Sequence, residues 1–122
     1  MQGAPTRPLE ANVLITSTLE RVRAHVDAKD VDRAIEDLET TLSTLRRSED
    51  PSVWRLESVL AALYDHTGRR EAATRVARLA HHNALRGTEE APKLRTKEIL
   101  DRITARRQRM ARGSKLLKAR AR

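Results

Sequence analysis

Apolar residues recur at three- and four-residue intervals along most of the chain, which is the spacing of one face of an α-helix. The clearest run is Val31, Ile35, Leu38, Leu42 and Leu45. Similar runs, separated by polar breaks, predict five helices over residues 9–28, 31–45, 51–67, 70–86 and 88–112. No segment alternates apolar and polar residues as a half-buried strand does. The sequence therefore predicts an all-α protein.

The breaks between the predicted helices hold residues that begin or end helices. Asp30 can accept hydrogen bonds from the free backbone N–H groups at a helix start, and Pro51 suits a first helical turn. Gly68 can take the left-handed conformation that often follows a helix, and Gly87 closes the fourth predicted helix. Because the connections are short, consecutive helices are predicted to pack as two antiparallel hairpins followed by a basic C-terminal helix.

The predicted domain organisation has four segments: a flexible lead (1–8), a helical-hairpin domain (9–86), a basic C-terminal helix (87–112) and a basic tail (113–122). Gly113 and Ser114 are predicted to interrupt the last helix. The residues beyond them are too few to form a stable helix alone. The core between the two hairpins is predicted to include Leu38, Leu42, Leu60 and Leu63.

Within residues 31–86, several positions follow one further pattern. Leu60, Ala61 and Tyr64 are followed by Gly68 in a turn and by Ala73 in the next predicted helix. This spacing resembles the tetratricopeptide repeat (TPR), a helix–turn–helix unit with the pattern W-x2-L-G-x2-Y and a later Ala. The resemblance implies a helical scaffold that binds a protein or a peptide, and it brings no catalytic residues.

The chain departs from the TPR pattern at four positions. Glu57 stands where the repeat has Trp, Ala61 replaces the Gly, Ala77 replaces an aromatic residue and Leu85 replaces the Pro. Ala34 marks the position of Ala73 one repeat earlier. The two lie 39 residues apart, whereas the repeat has a period of about 34, so the first unit would carry an enlarged turn.

Composition narrows the class of protein. The chain has 122 residues, about one domain, and contains no Cys, which removes disulfides, thiolate metal sites and Cys nucleophiles. The longest apolar run, residues 59–64, is far too short to span a bilayer, and no secretory leader opens the chain. We therefore expect a cytoplasmic protein that does not bind membranes.

No motif of catalysis or metal binding is present. The sequence has no phosphate-binding loop and no nucleophile elbow. The four histidines (His25, His66, His81 and His82) lack the i, i+4 spacing of a helical metal site. We therefore expect no enzymatic activity, no metal and no cofactor.

Charge is the most unequal property along the chain. Residues 92–122 hold twelve basic and two acidic residues, a net charge of +10, whereas residues 1–91 carry −2. Such asymmetry indicates a polyanionic partner. Arg95, Arg102, Arg106 and Arg109 share one predicted helix face. The predicted nucleic-acid-binding residues are Arg95, Arg102, Arg106, Arg107, Arg109, Arg112, Lys115, Lys118, Arg120 and Arg122.

These features support two hypotheses about function. In the first, the protein is an interaction module whose residues 9–86 bind a protein partner or a second copy. Its residues 92–122 then contact RNA or DNA phosphates with little sequence specificity. In the second, it is a structural subunit of a larger assembly, such as a phage particle or a ribonucleoprotein, with its basic tail anchored in nucleic acid or in acidic protein.

Overall fold

A computed structural model describes residues 8–46 and 50–120, and the described residues contain helices and turns but no strand. A 3-10 turn, Pro51–Val53, precedes the third of the five α-helices in the described residues. The helices are α1 (Pro8–Asp27), α2 (Val31–Leu45), α3 (Trp54–His66), α4 (Arg70–Arg86) and α5 (Glu90–Arg120). The all-α class predicted from periodicity is confirmed. The predicted lead at residues 1–8 lies outside the described residues, except for Pro8, which begins α1.

Local chemistry explains where the helices begin and end. The Asp30 carboxylate accepts a hydrogen bond from the backbone N–H of Arg33 at 3.2 Å, and so caps α2. Asp50 accepts from the N–H of Ser52 at 2.9 Å and starts the turn that leads into α3. Gly68 has a φ of +84°, a left-handed conformation that glycine adopts without strain, and it separates α3 from α4.

The helices share one apolar core. Helix α1 packs against α2, α3 against α4, and α4 against α5. Leu38, Leu42 and Leu60 are buried as predicted, whereas Leu63 is half-buried at the edge of the core. Helix α4 contributes the small buried side chains Ala73, Ala77, Ala80 and Ala84, which allow its neighbours to approach closely.

Helix α5 is part of this core in its first half. Ile103 is only 4% exposed, and Ile99 and Leu100 pack against the same cluster. Trp54 and Pro92, near the starts of α3 and α5, line one cavity. Asp65, near the end of α3, pairs with Arg106. Helices α3 and α5 therefore run side by side in the same direction.

The end of α5 differs from the sequence prediction. The predicted interruption at Gly113 and Ser114 is wrong, because α5 continues through both residues to Arg120. An interior glycine costs a helix only about 1 kcal/mol relative to alanine, and about six turns of preceding helix have already overcome the nucleation cost. No described helix is both long and apolar enough to cross a membrane.

Candidate functional site

A groove of about 660 Å³ runs between α3 and α5 and is open to solvent. Both helices line it with residues spaced i, i+3, i+4 and i+7, so each presents a single stripe about two turns long. The stripe of α3 is Arg55, Ser58, Val59 and Ala62, and that of α5 is Arg95, Glu98, Ile99 and Arg102. We call this feature the α3–α5 groove.

The floor of the α3–α5 groove is aliphatic. Val59 and Ile99 meet there with Leu63 of α3 and Leu19 of α1, and all four pack against the main core while remaining half-exposed. Half-exposed aliphatic side chains in a concave surface can gain free energy by further burial, at about 25 cal/mol per Å². The floor therefore suits an apolar side chain from outside the groove.

A buried polar group in the groove lining has no hydrogen-bond partner. Ser58 is 6% exposed, and its buried hydroxyl oxygen makes no hydrogen bond in the structure. A helical serine commonly bonds to the carbonyl four residues earlier, and that bond is absent here. Buried polar groups are satisfied in most structures, so the unpaired Ser58 hydroxyl indicates a position where an additional hydrogen-bonding group fits.

The rim of the α3–α5 groove is predominantly basic. Arg55, Arg95 and Arg102 line it together with a single carboxylate, Glu98. Among the described residues, none of the three guanidinium groups pairs with a carboxylate within 4.0 Å. The rim therefore presents donors in the planar fork geometry that recognises carboxylates and phosphates. Half-buried Trp54 lies at the end of the groove.

The predicted binding residues of α5 divide into groups with different surroundings. Arg95 and Arg102 lie on the groove rim, and exposed Arg109 and Arg112 have no carboxylate partner among the described residues. Arg106 instead donates to the Asp65 carboxylate at 2.8 Å. The backbones of Arg107, Lys115, Lys118 and Arg120 belong to α5, but their side chains lie outside the described part of the structure, as does all of Arg122.

A second cleft lies on the opposite side of α3. Its lining includes Arg46, Glu57, Arg75 and Leu79. Glu57 is 5% exposed and accepts a hydrogen bond of 2.7 Å from the Asn83 amide. Burial raises the pKa of Glu57, while the Asn83 hydrogen bond and the positive charge of Arg46 act in the opposite direction. This carboxylate has an internal partner, so it serves to join α3 to α4.

Two of the histidines, His25 and His81, make side-chain hydrogen bonds. His25 lies 2.9 Å from the Asp37 carboxylate, and Nδ1 of His81 lies 3.0 Å from the hydroxyl of Thr96. Across residues 8–46 and 50–120, no three His, Asp or Glu side chains converge as metal ligands do.

No protein-family model, curated protein or solved structure matches the chain.

The contribution of α3 to the groove is not predicted from the sequence. Arg55 is absent from the predicted binding residues, and so is Trp54. The i, i+3, i+4, i+7 spacing of Arg55, Ser58, Val59 and Ala62 is nevertheless visible in the sequence. The pairing of this stripe with that of α5 depends on the packing of both helices against α4.

Proposed function

We propose that the protein is a non-enzymatic interaction module that contacts nucleic-acid phosphates through the basic part of α5 after Asp101. The observation that carries this proposal is the absence of compensating acid there. No acidic residue follows Asp101, while nine basic residues do. The exposed Arg109 and Arg112 lack carboxylate partners among the described residues.

The physical basis of the proposal is counterion release. A duplex carries one negative charge per roughly 1.7 Å of axis and binds a layer of cations that a basic protein displaces. The part of α5 after Asp101, residues 102–120, comprises 19 residues and extends about 28 Å at 1.5 Å per residue. A helix of that length can set several guanidinium groups along one phosphate backbone. Guanidinium groups on phosphates give affinity without reading bases.

The remainder of the protein is proposed to act as a TPR-like scaffold of two helical hairpins. Support comes from the three-residue turns between α1 and α2 and between α3 and α4, and from the packing of each pair. The burial of two small side chains also supports it. Ala73 and Ala61 are fully buried where the repeat places small residues. A scaffold of this kind presents a surface to a protein partner.

The test is the salt dependence of binding to a labelled 20-base-pair duplex of mixed sequence, measured by fluorescence anisotropy. Replacing Arg107, Arg109 and Arg112 by Gln should flatten the slope of log affinity against log salt by about 0.9 for each phosphate that the protein no longer neutralises. The weakening should be similar for all duplex sequences, because phosphate contacts carry no base information.

A matched control removes the same charge elsewhere. Arg23, Arg33 and Arg78 are exposed residues of α1, α2 and α4, and their replacement by Gln leaves the same net charge as the test variant. We expect this control to keep the slope of the unmodified protein within about half a unit. Equal slopes for test and control variants would mean that α5 is not the phosphate-binding surface.

A further inference from the structure

We infer that the α3–α5 groove binds an acidic amphipathic helix of a protein partner. The inference rests on the protein-binding half of the proposed function and names its place and the chemistry of its ligand. It does not depend on the phosphate-binding half. Three features of the groove lead to this occupant: an aliphatic floor, a basic rim and an unpaired hydroxyl.

The aliphatic floor favours a helix over other segments. Val59 and Ile99 belong to the two parallel lining stripes of α3 and α5. Each stripe extends about two helical turns, since it spans seven residue steps of 1.5 Å. Amphipathic helices occupy grooves of this kind by inserting apolar residues spaced i, i+3, i+4 and i+7. The expected occupant therefore contributes two turns with one apolar stripe.

The rim determines the charge of the occupant. Arg55, Arg95 and Arg102 outnumber the one carboxylate of the lining, Glu98, by three to one. Carboxylates flanking the apolar stripe of the partner helix would form charge-assisted hydrogen bonds with these guanidinium groups. A lysine-rich helix would meet like charge, which works against binding.

Ser58 supplies a second, independent indication of a ligand. Its hydroxyl is buried in the groove lining and unpaired, so the free protein holds a polar group without a partner. A carboxylate or carbonyl oxygen of the bound helix can accept from it. The hydrogen bond would then form only in the complex.

Nucleic acid fits the groove less well than an acidic helix. A duplex has no aliphatic side chain to cover Val59 and Ile99, and single strands bind on platforms of several aromatic side chains. The groove has one aromatic residue, Trp54, at its end. Phosphate would satisfy the arginines and leave the floor exposed.

The test uses the full chain and the emission of Trp54, which is the only tryptophan. The probe is an 18-residue helical peptide without tryptophan, with Leu at i, i+3, i+4 and i+7 and Glu on both flanks. We expect it to shift the emission saturably. No shift at about 1 mM peptide, which corresponds to negligible affinity, would overturn the inference. Equal binding of a peptide with Lys in place of Glu, or of one with scrambled Leu positions, would overturn it as well.

Variants separate the rim from overall charge. Replacing Arg55 and Arg95 by Gln should weaken binding of the Glu/Leu peptide about tenfold or more, because hydrogen bonds between charged groups no longer form. Replacing Arg23 and Arg33 by Gln removes the same charge away from the groove and should change the affinity less than about twofold. Equal weakening in the two variants would contradict the rim assignment.

Ser58→Ala gives a readout that a structural role would not produce. The variant should bind the peptide about two- to tenfold more weakly, while the melting temperature of the free protein stays the same or rises, because an unpaired buried hydroxyl is removed. A lower melting temperature with unchanged peptide affinity would mean that Ser58 serves the fold alone.

Two further outcomes would assign the groove to another ligand. The groove is a nucleic-acid surface if the 20-base-pair duplex competes with the peptide and if the Arg55 and Arg95 variant binds the duplex more weakly by the same factor as it binds the peptide. If the protein forms dimers that this variant abolishes, the occupant is a second copy. The Arg107, Arg109 and Arg112 variant should bind the peptide normally, so failure of this inference and failure of phosphate binding are distinguishable.

Discussion

Two adjacent buried polar residues of α3, Glu57 and Ser58, face different sides of the helix and differ in their hydrogen bonding. The Glu57 carboxylate points to α4 and is paired with Asn83. Ser58 lines the opposite α3–α5 groove and its hydroxyl has no partner. Both side chains are more than nine-tenths buried. The paired group joins α3 to α4, whereas the unpaired one is the hydroxyl that we propose a ligand satisfies.

Glu57 is expected to make stability depend on pH. Burial raises its pKa in the folded protein above the ordinary value of 4.5. At pH values between the pKa of the unfolded state and that of the folded state, the folded protein therefore binds more protons than the unfolded chain. Stability from this residue is therefore fully present below the unfolded pKa and is lost as pH rises through the folded pKa.

Glu57→Gln should remove this dependence, because the amide stays neutral and its oxygen can still accept from Asn83. The melting temperature of the variant relative to the unmodified protein should therefore rise as the pH increases from the ordinary carboxyl pKa of 4.5 through the raised pKa of the folded protein. Glu36→Gln, the same change on an exposed side chain, serves as the control. A relative melting temperature for Glu57→Gln that is constant with pH, as in the control, would contradict the prediction.

At the scale of a helix, the stability of the end of α5 is limited by one glycine in its last third. Gly113 lies in the helix, and a Cβ added there would meet no atom within 4 Å. Gly113→Ala should stabilise the end of α5 by about 1 kcal/mol, the difference in helix propensity. Amide hydrogen exchange beyond residue 113 should slow about fivefold, as local opening becomes rarer.

The matched control is the same substitution at the other kind of glycine. Gly68 has a φ of +84° between α3 and α4, where a Cβ is strained. Gly68→Ala should therefore destabilise the protein by about 1 kcal/mol. Stabilisation at both positions, or at neither, would mean that the backbone conformations at these two glycines differ from the structure.

In the molecule as a whole, α5 joins the near-neutral body to the basic region. Its first half buries Ile103 and Thr96 in the shared interior, and its second half carries the excess charge. Removing the helix should therefore destabilise the body as well as remove the positive charge.

A truncated chain of residues 1–91 tests this coupling. It should lose cooperative thermal unfolding and bind a hydrophobic dye, because the faces of α3 and α4 that contact α5 become exposed. The control, residues 1–113, keeps Ile103 and should melt cooperatively near the temperature of the full chain. A 1–91 chain that melts like this control and stays monomeric by light scattering would contradict the coupling.

The class of fold and most helix boundaries follow from the sequence without reference to packing. Apolar periodicity and local signals such as Asp30, Pro51 and Gly68 act within a few residues of their own position, so they can be recognised without knowing what packs against them. The charge excess after Asp101 is likewise a property of the sequence alone. Whether Gly113 ends α5 is not decided by local signals of this type, because it depends on the length of helix that precedes the glycine.

Which side chains of different helices meet is a property of the tertiary structure. Arg55 and Arg95 lie 40 positions apart in the sequence, and they line one groove because α3 and α5 contact each other and both pack against α4. The same packing pairs Arg106 with Asp65 and leaves Ser58 buried without a partner. Such relations follow from how the faces of different helices fit together, and the period of a single helix carries no information about its neighbours.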